Sequence, residues 1–499
     1  NINRVIVFSK IFRSLILKNT EKNSFLKIFV IMLRLFGGCM SAPKRSEILG
    51  SNIVPLMFRL GWPVMLASLL ETFYQLADTF WIGRLGGEQS GDSVAALQIA
   101  FPLLWFFASA AAGFSMSGTA LVSQHTGAGD KSKADIAATQ IISFSLITGI
   151  AVAVIGIMFV PELLQLVSSD KNISSIGSSY LVWFFPCMPF VFINASFRIL
   201  SAAAGDTKTP LKITLITNII NLIIDPLFII GWGPIPRMGA AGAAAATLIS
   251  TALASIAVIY ILIKGNTGVS LNFKHIIPEK FWFSRILKIG FPAAVGHSAE
   301  SLGFILLMTI IAKLPDARNA LAGYGIGNRL TSFIFIPAQG LGQGLSTIIG
   351  QNLGADNFER ARRSAVEGIK IISATIAIQI ALILPFRESF IALFIPHDAE
   401  VIASGAHFLL IFGLSIPFFG VIRGVTSAFN AAGTNVPAMI IGFARLWVLR
   451  VPLSWLGGLA LGFGATGVWW GMGISNVLAA LLSVILFVKY KWLKNITLQ

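Results

Sequence analysis

The sequence predicts an all-α polytopic membrane protein: twelve transmembrane helices in two pseudo-twofold-related six-helix lobes around a central cavity. Three observations predict it. Hydrophobic residues make up 55% of the chain and charged residues only 12%, about half the charge of an ordinary soluble domain. Apolar runs recur along the chain, each near the ~20 residues a helix needs to cross a bilayer. The two halves of the chain also repeat one another.

Taken in order, the spans of the first half fall near 55–84, 93–120, 136–165, 176–203, 210–232 and 239–264. Those of the second half fall near 286–313, 322–350, 366–394, 402–429, 436–461 and 465–490. Gly and Pro punctuate many of them, as they can where neighbouring helices satisfy the freed backbone groups. Leu60-Gly61-Trp62-Pro63 with Glu71 recurs as Ile289-Gly290-Phe291-Pro292 with Glu300. Gln124 and Gly127-Ala128 recur as Gln351 and Gly354-Ala355, and Ala203-Ala204-Gly205 as Ala431-Ala432-Gly433. Pro226 answers to Pro452, and the Gly239–Gly242 stretch to Gly464–Gly467. Each half has an even number of spans, so both enter from the same side. The pseudo-twofold axis then runs along the membrane normal, with the cleft between lobes as the natural substrate site.

The domain organisation is a basic segment 1–49, a first lobe 50–265, a cytoplasmic inter-lobe loop 266–285 and a second lobe 286–499. Alternate loops hold about 17 basic residues against about 6 in the others. The positive-inside rule therefore places both termini in the cytoplasm, in a multi-pass protein of the cell membrane. The same asymmetry accounts for the formal charge of +16 without a nucleic-acid partner. Residues 1–39 are rich in Lys and Arg, and Gly37-Gly38 precede Met40, which reads as a native start with a translated upstream extension.

Two polar faces carry the chemistry. Thr214, Asn218, Asn221 and Asp225 fall at helical spacing within the fifth span, and Glu71, Gln75 and Asp78 within the first; such spacing puts each set on one side of its helix. A carboxylate at the bilayer centre costs roughly 2.5–3.5 kcal/mol on insertion scales, so it normally faces a cavity and works there. Asn and Thr also hold helices together, yet amide packing leaves two aspartates without a purpose. By the repeat, Asp78 falls near Leu307 and Asp225 near Val451, so both aspartates belong to the first half alone. The second half carries Arg423, Arg445 and Arg450 instead. Glu71 reads either as a substrate contact or as a partner of Arg198, and Glu300 either as a binder of substrate cations or as a partner of Arg423 or Arg445. No phosphate-binding loop, zinc-spaced cluster or nucleophile elbow occurs in the sequence, so the protein reads as no enzyme, without a cofactor, and its energy source as an ion gradient.

Pro63, Tyr74-Gln75-Leu76-Ala77-Asp78, Gly83-Arg84-Leu85-Gly86, Gly127-Ala128-Gly129-Asp130, Ala204 to Pro210 and Asn218/Asn221/Asp225-Pro226 together resemble the multidrug and toxic compound extrusion (MATE) family, prokaryotic type. The resemblance covers about 50 to 490. It implies export of small amphipathic, often cationic, organic compounds by alternating access, in antiport with H⁺ or Na⁺. It implies a cation-coupling site at Asp78, Asn218, Asn221 and Asp225, with Na⁺ held by Asp78, Asn221, Asp225 and Thr247. Tyr74, Gln75, Tyr180, Asn194, Arg198, Thr214, Thr247 and Glu300 would line the substrate cavity, and helix 1 would bend at Pro63. Two features depart from the pattern: Arg198 stands where a small amide is expected, and no acid occurs around Phe418 to Arg423. The partners implied are the substrate and the bilayer, with the protein a monomer. A lipid-linked oligosaccharide flippase of the same superfamily is the alternative, in which a cationic cavity would give Arg198 and Arg423 central roles. A passive channel would have no need of buried acids.

Overall fold

The structure, a computed structural model, describes residues 43–83, 88–165, 171–231 and 236–498. The Met40 start and the basic segment before residue 43 lie outside the described residues. Twelve long helices follow one another among those described. The first lobe contains α1 (Ile53–Gly83), α2 (Glu88–Ala128), α3 (Lys131–Met158), α4 (Ser174–Ala203), α5 (Lys208–Gly231) and α6 (Ala240–Lys264). The second contains α7 (Lys280–Ala312), α8 (Ala317–Gly354), α9 (Phe358–Ala392), α10 (Ala399–Ala432), α11 (Asn435–Ala460) and α12 (Gly464–Lys489). Eleven of them have the length and apolarity to cross a membrane. The remaining one, α8, is as long but is diluted by Gly, Asn, Gln and Arg.

Local chemistry shapes the ends and the kinks. Pro186 tightens α4 into a 3-10 turn at Phe185–Cys187. The paired prolines Pro226 and Pro452 each lack an N–H for the helical ladder, and wider π turns lie beside them at Leu227–Gly231, Ala444–Arg450 and Leu456–Ala460. α1 stays helical through Pro63. Gly129 takes a positive φ of 81° to end α2, and Asp130 then caps α3 by accepting from the Lys133 amide at 3.0 Å. That hydrogen bond, and the Lys133 side chain, hold the Asp130 carboxyl below its ordinary range.

Two boundaries differ from the sequence expectation. Gly127 and Ala128 were expected in a loop, but α2 continues through both. The reason is tertiary: α2 and α8 cross so closely that a Cβ on Gly127 would lie 2.0 Å from the Gln351 carbonyl oxygen, and one on Gly354 would lie 1.9 Å from that of Gln124. The inter-lobe linker is also shorter than 266–285, because α7 begins at Lys280. The linker is tied down on α3: Ser270 donates through its amide and hydroxyl to Asp135, both at 2.7 Å, and the buried Gln140 donates to the carbonyls of His275 and Ile277 at 2.5 and 2.8 Å.

The repeat is visible as paired bonds between the halves. Gln124 Nε2 donates to the Ala431 carbonyl at 2.9 Å, and its repeat partner Gln351 donates to the Ala203 carbonyl at 3.0 Å. Both glutamines are fully buried. Thr347 also crosses, donating to the Ala202 carbonyl at 2.8 Å, while within the second lobe Asn435 donates to the Ile289 carbonyl at 2.8 Å. The two terminal segments join this end of the molecule. Arg45 donates to the Gly127 carbonyl at 2.6 and 2.9 Å, and the Ile496 amide donates to Gln124 Oε1 at 2.8 Å. The end so closed is the one carrying the basic loops.

Candidate functional site

In the first lobe, α1, α5 and α6 bring the polar groups together. Asp225 is fully buried, Asn221, Ser250 and Thr247 are buried too, and Thr214 is buried about three turns earlier on α5. Asn221 stands one turn before Asp225 on α5. With its amide nitrogen turned to the carboxylate, it donates to Asp225 at 2.7 and 3.2 Å and accepts from Ser250 Oγ at 3.2 Å. One residue thus bridges a carboxylate and a hydroxyl, because an amide offers both donor and acceptor. On the other side, Tyr74 of α1 and Thr247 of α6 share a hydroxyl–hydroxyl bond of 2.8 Å. Gln75 and Asp78 belong to α1, but their side chains lie outside the described residues.

The remaining expected residues divide. Asn194 donates to the Thr251 carbonyl at 3.2 Å, leaving its Oδ1 buried without a partner; Asn218 Nδ2 is likewise buried and unpartnered. The Tyr180 ring stacks on Phe184 at 5.6 Å and packs into an apolar cluster with Ile82, Ile229 and Ala243. Arg198 makes an ion pair with Glu71, and both side chains remain about 40% exposed. Of the two roles left open for Glu71, the structure shows the arginine partner.

In the second lobe, Arg445 Nη2 lies 2.5 Å from Glu300 Oε1, so the repeat-matched glutamate is also held by an arginine. The arginine comes from α11 rather than from α10, the counterpart of α4. Arg450, only 2% exposed, donates to Ser475 Oγ at 3.1 Å and to Asn476 Oδ1 at 2.6 Å, and its guanidinium lies over Phe412 at 5.4 Å. Asn476 passes the network on by donating to Ser415 Oγ at 3.0 Å. Sequence reading missed this network and missed Ser250. For Ser250 a signal existed, since it stands three residues after Thr247 and so on the same face of α6.

Two crevices of about 530 and 290 Å³ open between α11 and α12 and between α7 and α11. Their walls are mostly apolar, and neither Asp225 nor Glu300 lines them. Among the described residues no three His, Cys, Asp or Glu side chains group to hold a metal ion. A hard cation at Asp225 would therefore rest on one described carboxylate and on neutral oxygens such as those of Thr247 and Ser250.

Comparison with known proteins identifies the scaffold. The MatE family model matches twice, over residues 63–227 and 292–456, once in each lobe. The chain is 26% identical to the probable multidrug resistance protein YoeA of Bacillus subtilis, over 87% of this chain and 93% of that protein. It is 26% identical to a FAD transporter of Shewanella oneidensis, over 87% of this chain and 94% of the relative. A solved outward-facing multidrug resistance MATE transporter of the MOP superfamily superimposes with a TM-score of 0.81 at 22% identity, covering 90% of this chain and 98% of that one.

Proposed function

The chain belongs to the MatE family of membrane transporters, and we propose that it is a secondary active exporter of small amphipathic organic compounds, driven by inward H⁺ or Na⁺. One observation carries this reading: a fully buried carboxylate, Asp225, that accepts from the neutral amide of Asn221, itself braced by Ser250, inside a membrane bundle. A carboxylate binds H⁺ or Na⁺ reversibly and changes its charge on doing so. Deep in a bundle that change alters which packing of the surrounding helices is stable. The relatives' names, multidrug resistance protein and FAD transporter, support a small organic substrate.

The cycle follows from linkage. A cation entering from outside neutralises Asp225, and Asp78 with it. The bonds from α5 and α6 toward α1 then rearrange through the Tyr74–Thr247 contact. α1 bends at Pro63, where the missing N–H lowers the resistance to bending. Cation and substrate favour opposite-facing states, so each lowers the other's occupancy. The positive-inside rule puts the basic, closed face in the cytoplasm. The inter-lobe bonds through Gln124, Gln351 and Thr347 lie toward that face, which supports an arrangement open to the outside. One proton moving down 100 mV releases about 2.3 kcal/mol, before any concentration term.

The deciding experiment is substrate efflux from vesicles with pH and sodium gradients imposed separately, on the wild type and on Asp225→Asn. Efflux driven by one gradient and lost in the variant is expected. Driven efflux that persists in the variant would remove Asp225 from the coupling role.

A further inference from the structure

The second lobe gathers three guanidiniums around a single carboxylate, those of Arg445 and Arg450 buried and that of Arg423 half-buried. Glu300 pairs with Arg445 at 2.5 Å, and Arg423 and Arg450 lie within electrostatic reach of the same carboxylate. Arg450 is satisfied by Ser475 and Asn476, both neutral. Arg423 forms no side-chain hydrogen bond or ion pair among the described residues, and its Nε is buried without a partner beside Gly342 of α8. The Nε of Arg445 is buried and unpartnered as well. Two positive charges are thus left without a carboxylate. Desolvating a guanidinium without a carboxylate partner is costly, and a bound anion would offset part of that cost.

Aromatic rings stand beside the Glu300–Arg445 pair. The Arg445 guanidinium lies over Phe419 at 5.0 Å, and Phe335 packs on Phe419 at 4.8 Å. Trp447 stacks parallel to Phe443 at 5.9 Å and donates to the Ala299 carbonyl, next to Glu300. A planar guanidinium fork matches a carboxylate or phosphate in two-point geometry, and neighbouring rings accept a flat ring system by stacking.

We infer that the second lobe binds the anionic group of a planar aromatic substrate, with Arg423 as its direct contact and the Glu300–Arg445 pair beside it. This names the substrate class for the exporter proposed above and rests on that reading for the transport step alone. The first lobe then binds the driving cation and the second lobe the anionic cargo, so the two ligands meet opposite charges in opposite lobes.

The test uses the purified full chain and three probes: riboflavin 5′-phosphate, riboflavin with the same ring and no phosphate, and ethidium, a flat cation. Calorimetry should show the phosphate binding at least about tenfold tighter than riboflavin, as for a desolvated charge-assisted contact. Arg423→Gln should abolish that preference and leave riboflavin binding unchanged, which also reports a folded protein; Arg423→Lys should keep part of it. Equal binding of the two flavins, preference for ethidium, or an unaltered phosphate preference in Arg423→Gln would overturn the inference. Gradient-driven efflux from proteoliposomes separates the two readings. Phosphate that is bound but never moved would leave the anion site standing and overturn the exporter. Efflux of ethidium without the phosphate would do the reverse. A polyprenyl phosphate in the bilayer that competes with riboflavin 5′-phosphate would support the site with a lipid anion as its source, and lack of competition beside flavin phosphate binding would support a soluble one.

Discussion

The two lobes share a scaffold and differ in the sign of what they bury. At the paired helices α5 and α11, the first lobe places Asp225 against Asn221 and Ser250. The second has Val451 at that position and, one residue earlier, Arg450 against Asn476 and Ser475. An amide can donate or accept, so an asparagine meets a buried anion as donor in one lobe and a buried cation as acceptor in the other. Packing features behave differently. Gln124 and Gln351, and Gly127 and Gly354, are kept in both halves because each half must close against the other. The duplicated contacts hold the fold, and the buried charges are where the two halves diverge.

The largest expected effect comes from removing the first lobe's charge. Asp225→Asn should reduce gradient-driven efflux to the level of vesicles without a gradient, while Val451→Asn should leave driven efflux in place. Next comes the crossing that both lobes share. Gly354→Val pushes a branched side chain into the Gln124 backbone, where overpacking costs typically 1–3 kcal/mol and more against backbone. Thermal unfolding in detergent should show the loss, and Gly127→Val should match it if the repeat is symmetric.

The glutamate–arginine pairs sharpen the contrast. Arg445 is nearly buried and Glu300 a third exposed, whereas Glu71 and Arg198 are both about 40% exposed. Arg445→Met should therefore destabilise by about 1–3 kcal/mol, with part regained in the double variant carrying Glu300→Gln. Arg198→Met should cost under about 1 kcal/mol, as at exposed pairs. A reversed order in a melting series would break the comparison. Tyr74→Phe removes one hydroxyl from the Thr247 bond, at about 1 kcal/mol or less, and should slow efflux a few-fold without abolishing it.

The smallest effect lies at the helix caps. Asp130 caps α3, and its repeat counterpart Asn357 caps α9 by accepting from the Arg360 amide at 3.3 Å. Asp130→Ala should cost a few tenths of a kcal/mol, at the low end of cap effects because the site is exposed. The Asp130 carboxyl is held below its ordinary 3.8. Its contribution is therefore complete above that value and is lost as pH falls through the lower folded one. The effect of Asp130→Ala should fade in acid, while that of Asn357→Ala should not change with pH.

Much of this was legible in the residues. The twelve spans, the repeat and the isolation of Asp225 in one half came from apolar length, ordered landmarks and one-sided spacing, all local properties of the chain. Residues i and i+4 on a helix must share a face, so the Asn221–Asp225 pair was readable without a fold. Partners from other helices were not. Glu71 had Arg198 as a candidate and Glu300 had two, and only packing selected Arg198 and Arg445. The end of α2 at Ala128 ran past an apparent loop because the α8 backbone supports it there. Arg423, by contrast, became informative through what packing withheld among the described residues, a hydrogen-bonded carboxylate partner. Composition and periodicity determine which residues must leave water and on which face of a helix they do so. Which face meets which is a balance of close approach and buried charge summed over all twelve helices, and only the tertiary structure decides it.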